Sequence, residues 1–360
     1  MFKSAIKILQ KNISEKDLFL ITNKYNIRYL CGYTGTNGYI LLSKKKTFFL
    51  TDTRYLSEAK NKFGQYFSII NLDKPLSEKI LEITEKNKYT TLIFEEKDLK
   101  YAAWLNLKKA LKKIKLKSRS DLIENIRICK SNEEIIIISR AQKITEKTFI
   151  ALKNSLKQGQ REKEIAWNLE NIAHDFGADG LSFPPIIAIG KNSGTPHHQN
   201  SNQKLKKGDL ILVDMGIKYR GYCTDMTRMI FTNNPTSRQA QIYNLVLSAQ
   251  QAAIKTIKAG ITGVKADKAA REIITRKGYG DNFLHSLGHG VGLQIQEAPT
   301  LSPLSKQKIP ANSIVTVEPG IYLENEFGVR IEDMILVLPD GNKNLTTIPK
   351  SIESSIHKLV

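Results

Sequence analysis

Over the first 125 residues, short apolar runs alternate with amphipathic stretches. The apolar runs have the length and the β-branched and aromatic content of strands, whereas the amphipathic stretches have the 3.6-residue period of helices. The predicted strands are DLFLIT, RYLCGYTG, YILLS, TFFLTD and TLIFEE. The predicted helices are SEAKNKF, LSEKILEITEKN and AAWLNLKKALKKI. This alternation predicts a small α/β domain at the N-terminal end.

A helix-start signal marks the place where this pattern ends. In SNEEIIIISRAQ, Ser131 is followed three residues later by Glu134, which is the spacing of a capping box. No Pro-rich or Ser-rich linker precedes it. We therefore place a boundary near residue 127 and predict two domains, 1–127 and 128–360.

The pattern of the second half differs from that of the first. Amphipathic stretches, each followed by a glycine that can end a helix, lie at 161–176, 238–258 and 265–277. Strand-like runs lie at 186–190, at 210–217 with 222–231, and at 314–323 with 329–338. Helices grouped against a mainly antiparallel sheet predict an α+β domain.

Two carboxylates, Asp214 and Asp225, interrupt the first pair of strands in ILVDMGIKYRGYCTDMTRMI. If Lys218 pairs with Gly221 around a two-residue loop, the register sets the two aspartates directly opposite each other. Opposed residues on one sheet face have Cβ atoms about 4.5–5.5 Å apart, where like charges destabilise the pairing. The arrangement therefore predicts a positive group between them.

A second acidic pair, Glu318 and Glu332, flanks the turn of TVEPGIYLENEFGVRIEDMILV. A five-residue loop from Leu323 to Phe327 would again set the two carboxylates opposite each other. Taken singly, an acidic residue in a strand is more often part of an ion pair, and Arg228 or Arg330 could be the partner. Two acidic hairpins in one chain make that simpler interpretation less attractive.

One histidine completes the candidate site. His289 stands between glycines in HSLGHGVGL, where the backbone can approach its neighbours closely. Four carboxylates and an imidazole form a hard, oxygen-rich ligand set that suits Mn²⁺, Co²⁺ or Zn²⁺. The negative charge is too large for one divalent ion, whereas two ions about 3.5–4 Å apart would neutralise it and activate water.

Composition and charge narrow the alternatives. With 41% hydrophobic and 25% charged residues, the chain has the composition of a globular protein. The formal charge of +20 is concentrated in the N-terminal part, notably in LKKALKKIKLKSRS, but few aromatic residues are interleaved, so we expect a solvated helix face rather than a nucleic-acid site. Three separated cysteines without a CxxC motif, no signal-like segment and no long apolar run predict a cytoplasmic protein without a membrane span.

The acidic residues and the histidine lie in short sequence motifs whose combination is characteristic of one family. Asp214, Asp225, His289, Glu318 and Glu332 occur in the contexts VDMG, TDMTR, GHGVG, VEPG and RIED. This set resembles the pita-bread metallopeptidases, which include the Xaa-Pro aminopeptidases and prolidases. IRYLCGYTGTNGYILL and FFLTDTRY resemble the creatinase-type N-terminal domain of that family. Methionine aminopeptidases share the metal site but usually lack such a domain, so the resemblance favours the prolyl branch.

The resemblance implies a role for each ligand. Asp214 would chelate one metal ion, Asp225 and Glu332 would bridge both, and His289 with Glu318 would complete the other. Glu318 would also carry the proton to the leaving nitrogen after water attacks the carbonyl that precedes proline.

The resemblance also implies roles for residues outside the ligand set. His197 in SGTPHHQN would contact the substrate, while His198 is expected to be a polar neighbour without a role. Arg330, two residues before Glu332, would support the site. His285 matches a motif position but is not expected to be a ligand.

The sequence departs from the family pattern at two positions. Many relatives have a second histidine seven residues after the ligand, where this chain has Gln296. Glutamine can donate a neutral hydrogen bond but cannot become cationic. Thr300 stands where some prolidases have an arginine that holds the substrate carboxylate, which favours peptides longer than a dipeptide.

The resulting expectation is an Xaa-Pro aminopeptidase with two divalent metal ions, Mn²⁺ before Co²⁺ or Zn²⁺, that is slow or specialised because of Gln296. An Xaa-Pro dipeptidase, or a non-catalytic peptide-binding protein of the same fold, is the alternative. The expected partners are a peptide with proline at its second position and, by family resemblance, a second copy in a homodimer. No membrane or nucleic-acid partner is expected.

Overall fold

In the computed structural model, which describes residues 2–359, the chain divides into two compact units, Met1–Arg127 and Ile128–Val360. Within the described residues, none of the helices combines the length and the apolarity that crossing a membrane requires. The two units are described in turn.

The first unit is built on one six-stranded sheet. Its strands are β1 (Asp17–Ile21), β2 (Tyr39–Ser43), β3 (Thr47–Thr51), β4 (Ser68–Asn71), β5 (Thr91–Glu95) and β6 (Lys115–Arg119). Its helices are α1 (Phe2–Lys11), α2 (Lys24–Cys31), α3 (Leu56–Phe63), α4 (Leu76–Asn87), α5 (Tyr101–Ala110) and, at its end, α6 (Glu124–Ile128). The strand order is β4-β3-β2-β1-β5-β6, with β1, β2 and β3 antiparallel and the β3–β4, β1–β5 and β5–β6 pairs parallel. This is the expected α/β arrangement.

One strand predicted in this unit is wrong. The run RYLCGYTG begins inside α2, because Asn23 accepts hydrogen bonds from the backbone N–H groups of Tyr25 and Asn26 and so caps a helix. Gly32, with φ of 77°, ends the helix in the left-handed conformation. The apolar residues of the run, Tyr29, Leu30 and Cys31 at the end of the helix and Tyr33 after it, are buried, so their clustering was misinterpreted as a strand.

The second unit combines helices with several small antiparallel sheets. Its helices are α7 (Asn132–Ser155), α8 (Glu162–Asp175), α9 (Ser237–Thr256), α10 (Gly263–Arg276) and α11 (Ile352–Ser355), with 3₁₀ helices at Gly190–Gly194 and Gly280–Asn282. Its strands before residue 280 are β7 (Gly180–Leu181), β8 (Ile186–Ile189), β9 (Leu210–Met215), β10 (Ile217–Tyr219), β11 (Tyr222–Cys223) and β12 (Met226–Phe231). Its later strands are β13 (Gly288–Gly290), β14 (Glu297–Leu301), β15 (Ile314–Val317), β16 (Gly320–Leu323), β17 (Phe327–Arg330), β18 (Asp333–Leu338) and β19 (Gly341–Asn344).

The capping box and the three predicted helices of this unit are confirmed. Ser131 caps α7, and Glu134 returns the bond to the backbone of Ser131. Helices α8, α9 and α10 lie within two residues of the predicted ranges, and the glycines after them have positive φ. The strands pair in the orders β12-β9-β8, β11-β10-β7, β14-β13-β15-β18-β19 and β16-β17. This is the expected α+β arrangement.

Strand β9 lies between two apolar layers. Ile211 and Val213 pack with residues of α7 and α8, whereas Leu210 and Leu212 pack with those of α9 and α10. Because side chains alternate along a strand, Asp214 lies on the same face as Leu210 and Leu212. The acidic side chain is therefore carried into the interior at the end of a strand that is buried on both faces.

The predicted register of the first hairpin is wrong by two residues. The turn is Arg220–Gly221, with φ of 51° and 83°, so that Tyr219 pairs with Tyr222. Asp214 is therefore opposite Thr227 instead of Asp225. A shift of two residues preserves the face of a strand, so both aspartates still point to the same side.

The predicted register of the second hairpin is confirmed. Gly320 pairs with Arg330 and Val317 with Asp333, which sets Glu318 opposite Glu332. Leu323 and Phe327 also pair, so the loop has three residues instead of the five expected.

In both hairpins, 210–231 and 314–338, the long predicted strands are interrupted near the acidic residues. Asp225 lies between β11 and β12, Glu318 between β15 and β16, and Glu332 between β17 and β18. At these breaks the backbone bonds to other segments: the N–H of Glu318 donates to the carbonyl of Leu287, just before β13, at 2.9 Å, and that of Glu332 donates to the carbonyl of Thr227 in β12 at 3.2 Å. The breaks bring the sheets together at the site.

Candidate metal centre

Three of the five predicted ligands form a buried cluster. Asp214, Asp225 and Glu332 each contribute a carboxylate oxygen, and the three oxygens lie within 4.8 Å of one another. Asp214 comes from the end of β9, Asp225 from the residue before β12, and Glu332 from the break between β17 and β18. The fold thus brings together two carboxylates of one hairpin and a third from a segment more than about 100 residues later in the sequence.

The remaining two predicted ligands adjoin the cluster. His289 Nε2 lies 3.6 Å from Asp225 Oδ2 and 3.5 Å from Glu318 Oε1. Thr316 links the two, because its Oγ1 accepts the backbone N–H of His289 at 3.0 Å and donates to Glu318 Oε1 at 3.0 Å. All five predicted ligands therefore meet at one place.

The orientation of His289 leaves one ring nitrogen available. Its Nδ1 lies 3.1 Å from the carbonyl oxygen of Gly290. A carbonyl can only accept, so Nδ1 donates to it, and Nε2 is the ring nitrogen that faces the carboxylates. Metal-ligating histidines are commonly oriented in this way by a backbone carbonyl.

Without a cation, the carboxylates oppose each other's ionisation. Burial raises the pKa of Asp225 well above its usual value, and the charges of Glu332 and Asp214 add to the effect. Burial, followed by the charges of Glu318 and Asp214, likewise raises the pKa of Glu332. Burial also raises the pKa of Glu318, although the positive charges of His289 and Arg330 oppose this. The protein residues alone do not neutralise the site.

Two buried oxygens of the cluster lack partners. Asp214 Oδ1 and Glu332 Oε1 are buried and accept no hydrogen bond within the described part of the chain. Such acceptors are rare in folded proteins because burying them unpaired costs about 1–3 kcal/mol. Together with Nε2 of His289, they fit a site for divalent cations with oxygen and nitrogen ligands.

Arg330 connects the cluster to the residues around it. Its Nη2 donates to Asp214 Oδ2 at 2.7 Å, and its Nε donates to Thr227 Oγ1 at 3.1 Å. Thr227 Oγ1 in turn donates to Glu332 Oε2 at 2.7 Å. Arg330 thereby orients Asp214 directly and Glu332 through Thr227. The sequence did not predict this network.

The hydroxyl of Tyr322 extends this network to His285. Burial raises the pKa of Tyr322 to about 12, and burial lowers the pKa of His285 to about 4, so both are neutral at pH 7. Tyr322 accepts from Arg330 Nη1 at 2.7 Å, and its hydroxyl lies 2.8 Å from His285 Nε2. Because His285 Nδ1 donates to the carbonyl of Ser286, both ring nitrogens are engaged and neither is available as a ligand.

The backbone at Glu332 is held by a buried ion pair. Arg228 Nη1 donates to the carbonyl of Glu332 at 2.6 Å, and its Nη2 donates to Asp333 Oδ1 at 2.7 Å. Lys350 also contacts Asp333. Burial raises the pKa of Asp333, but the positive charges of Arg228 and Lys350 outweigh it and hold the pKa below its usual value. Arg228 is therefore the partner of Asp333 and leaves the acidic cluster uncompensated.

The cluster opens onto a cavity of about 420 Å³, a size typical of small-ligand sites. His197, Gln296 and Thr300 all line it, together with Asp214, His289, Glu318 and Arg330. His197, Gln296 and Thr300 are exposed towards solvent. The structure thus places every predicted site residue at the carboxylate cluster or on the wall of this cavity.

Sequence reasoning missed Tyr322, Thr227 and Thr316. Each is a polar residue within a strand, two to four positions from an acidic residue of the site. Their roles depend on contacts across strands, for which the sequence carries no spacing signal. Thr227 could have been found only from the correct register of the first hairpin.

Comparison with known proteins agrees with this geometry. Residues 137–339 match metallopeptidase family M24, and residues 6–129 match the creatinase/prolidase N-terminal domain. An Xaa-Pro dipeptidase of Pyrococcus furiosus is 35% identical over 97% of this chain and 99% of its own.

Solved structures of similar proteins cover nearly the whole chain. An Xaa-Pro dipeptidase from Bacillus anthracis has a TM-score of 0.95 at 36% identity, covering 99% of this chain and all 100% of its own. An X-Pro aminopeptidase from Thermotoga maritima has a TM-score of 0.89 at 34% identity, covering 98% of this chain and 100% of its own.

Fold and site together define a metal-dependent peptidase. The chain belongs to metallopeptidase family M24, with a pita-bread catalytic unit and a creatinase-type N-terminal domain. The expected family and fold class are confirmed.

Proposed function

We propose that this chain is an Xaa-Pro aminopeptidase, which removes the N-terminal residue that precedes proline. The observation that carries the proposal is the convergence of four carboxylates and Nε2 of His289 at the floor of a cavity. Such a cluster, with acceptors that no donor among the described residues satisfies, supports a site for two divalent ions.

The proposed ligands have distinct positions. Asp214 and His289 with Glu318 would hold one ion each from opposite sides of the cluster, and Asp225 and Glu332 would be shared between the two. Mn²⁺ is the proposed metal, and Co²⁺ and Zn²⁺ are alternatives that the same donors suit. When bound, two such ions supply Lewis-acid polarisation of the scissile carbonyl and lower the pKa of water.

The chain's own residues would bind, orient and transfer protons. Glu318, on which Thr316 fixes one oxygen, relays a proton to the leaving nitrogen of proline. His197 orients the peptide from the cavity wall. Arg330 holds Asp214 in place and so fixes the geometry of the ligand set.

Proline requires a dedicated site because of its amide nitrogen. That nitrogen is tertiary and has no N–H, so a protease that binds the N–H of the scissile amide loses a contact. The acidic cluster lies at the floor of the cavity, where it can act on the carbonyl that precedes proline. Recognition through the carbonyl suits a substrate without an amide proton.

The cavity wall favours peptides longer than two residues. Of the described residues that line the cavity, Arg330 is the sole arginine or lysine, and it is already bound to Asp214 and Tyr322. Thr300 offers no charge to the terminal carboxylate of a dipeptide. Dipeptidase activity is the second candidate because the similar proteins of P. furiosus and B. anthracis bear that name.

A panel of peptides tests the proposal. Metal-stripped protein would receive Mn²⁺, Co²⁺ or Zn²⁺ and then Xaa-Pro, Xaa-Pro-Xaa or a control Xaa-Ala-Xaa peptide, with products identified by mass spectrometry. We expect release of the first residue from Xaa-Pro-Xaa, less from Xaa-Pro and none from the alanine peptide. Preferential cleavage of Xaa-Pro would establish the dipeptidase instead, and metal binding without cleavage would indicate a non-catalytic peptide-binding protein.

The proposal extends to assembly and location. A homodimer in the cytoplasm follows from the family resemblance and from the composition. Light scattering on the full chain would test the dimer.

A further inference from the structure

The loop that carries His197 is held from two sides. Residues 190–201 follow β8 and begin with the 3₁₀ helix Gly190–Gly194. On one side this loop contacts Glu162, the first residue of α8. On the other side it contacts the β16–β17 hairpin. The position of His197 depends on both contacts.

Glu162 is a buried carboxylate with an unusually full set of donors. Its side chain is 0% exposed. Its Oε1 accepts from the backbone N–H of Ile189 at 2.8 Å and from Asn192 Nδ2 at 2.9 Å. Its Oε2 accepts from the N–H and the hydroxyl of Ser201, both at 2.7 Å, and lies 2.8 Å from His198 Nε2. One side chain thereby joins both ends of the loop.

These donors keep Glu162 ionised. Burial alone would raise its pKa, but the hydrogen bonds from Asn192, His198, Ile189 and Ser201 outweigh burial and hold the pKa below its usual value. Hydrogen bonds to a charged acceptor are shorter and stronger than neutral ones. The loop is therefore fixed around a charge.

The hairpin fixes the other side of the loop. Gly328 donates its N–H to Ser193 Oγ at 2.8 Å, and Arg330 Nη1 donates to the carbonyl of Pro196 at 3.3 Å. A Cβ on Gly194 would lie 2.8 Å from the carbonyl oxygen of Leu323, so the two backbones are in close contact.

His197 has no anchor of its own. Its side chain is exposed on the cavity wall, and within residues 2–359 its imidazole has no hydrogen-bond partner. Its position is therefore set by the backbone on either side, and the next residue is tied to Glu162.

We propose that Glu162 and His198 form a positioning pair that holds His197 at the cavity, an inference that rests on the proposed function. His198, expected from the sequence to lack a role, connects the backbone next to His197 to Glu162. Neither residue lines the cavity, so the pair acts on the substrate only through His197. A misplacement of about 1 Å at a positioning residue can cost up to about 100-fold in rate.

The first test is Glu162→Gln. The amide has nearly the same shape but turns an NH₂ group towards one of the two backbone N–H donors, so half of the network is lost. We expect kcat/KM on an Xaa-Pro-Xaa peptide to fall by about 10- to 100-fold. The relative changes in kcat and in KM should match those of His197→Ala.

Glu146→Gln is the matched control. Glu146 is also a buried carboxylate of this unit, and it accepts from the hydroxyl of Thr347 at 2.9 Å and from the backbone N–H of Ile348 at 3.1 Å. It contacts the C-terminal segment instead of the His197 loop. We expect its kcat/KM to stay within about twofold of the wild type, since it is remote from substrate positioning.

Double variants separate positioning from general damage. If Glu162 acts through His197, Glu162→Gln should have little further effect in a His197→Ala background. Additive losses would overturn the proposal. At position 198, His198→Gln retains a neutral donor to Glu162 and should keep more activity than His198→Leu; equal losses would also contradict the pair.

A measurement without substrate keeps this test independent of the proposed function. Lys191, in the loop, is exposed to trypsin. In metal-free protein, Glu162→Gln should increase cleavage after Lys191 by about tenfold or more, while Glu146→Gln should not. Unchanged cleavage would show that Glu162 does not order the loop, whether or not the wild type hydrolyses Xaa-Pro peptides.

Discussion

Glu332 illustrates how a proposed metal ligand can be costly to the protein without metal. It is 1% exposed, its Oε1 has no partner within the described residues, and burial raises its pKa. Because the folded state binds the proton more tightly than the unfolded chain, stability falls as the pH rises from the ordinary range of a glutamate towards the raised value. Metal binding would remove that cost.

Glu332→Gln should therefore have opposite effects with and without metal. In stripped protein at pH 8, the neutral amide should stabilise the fold by about 1–3 kcal/mol, since it removes a buried charge and can still accept from Thr227. The gain should be smaller at pH 5, because the raised pKa of the wild-type glutamate favours its protonation as the pH falls. With Mn²⁺ the variant should be less stable than the wild type, because it lacks a ligand.

Thermal denaturation at the two pH values measures both effects. Asp340→Asn, an exposed acidic residue in the turn before β19, serves as a control and should change neither melting curve. A stripped Glu332→Gln protein that melts below the wild type at pH 8 would contradict this description of the cluster.

Gln296 is the second residue on which the proposal makes a definite prediction. It lines the cavity but cannot become cationic. Gln296→His should raise kcat on an Xaa-Pro-Xaa peptide by about 10- to 150-fold, since a charge-assisted hydrogen bond is worth roughly 1.5–3 kcal/mol.

Steady-state kinetics check this, with Gln241→His, on the exposed face of α9, as the control for the same chemical change. An unchanged or lower kcat for Gln296→His would remove Gln296 as the reason for a slow enzyme.

At the scale of elements, both hairpin turns contain a residue other than glycine with a left-handed φ, Arg220 in the first and Asn325 in the second. The second hairpin has the predicted register because asparagine tolerates this conformation, whereas the first is shifted because arginine rarely adopts it. The breaks at Asp225, Glu318 and Glu332 were not predicted, since each long strand is apolar on both sides of its break. Helices with clear caps and glycine ends, such as α7, were predictable.

The close contact between β13 and β15 gives a prediction at this scale. A Cβ on Gly288 would overlap the carbonyl oxygen of Thr316, whose side chain also bonds His289 and Glu318. Gly288→Ala should destabilise the protein by about 1–3 kcal/mol and reduce metal binding, because the strands must separate.

Gly341→Ala is the matched control, since a Cβ there meets nothing within 4 Å. Urea denaturation and metal titration of the two variants would distinguish them. Equal behaviour would show that the close packing of β13 on β15 does not position His289.

Across the whole molecule, the sequence indicated the class of each unit but not the way in which the site is assembled. The ligands were predicted because paired acidic hairpins are unusual, and because their contexts resemble a known family. Tyr322, Thr227 and Glu162 act through contacts with residues distant in sequence, so pattern alone could not identify them. The formal charge of +20 did not help to predict the site, because the acidic cluster is buried.

Metal stoichiometry is the most direct test of the central claim. Stripped full-length protein would be titrated with Mn²⁺ in a calorimeter, and the bound metal confirmed by elemental analysis after gel filtration. We expect about two ions per chain for the wild type and a loss of at least one for Glu332→Gln. A wild-type protein that retains fewer than one ion per chain would contradict the assignment of Asp214, Asp225, His289, Glu318 and Glu332 as a two-metal centre.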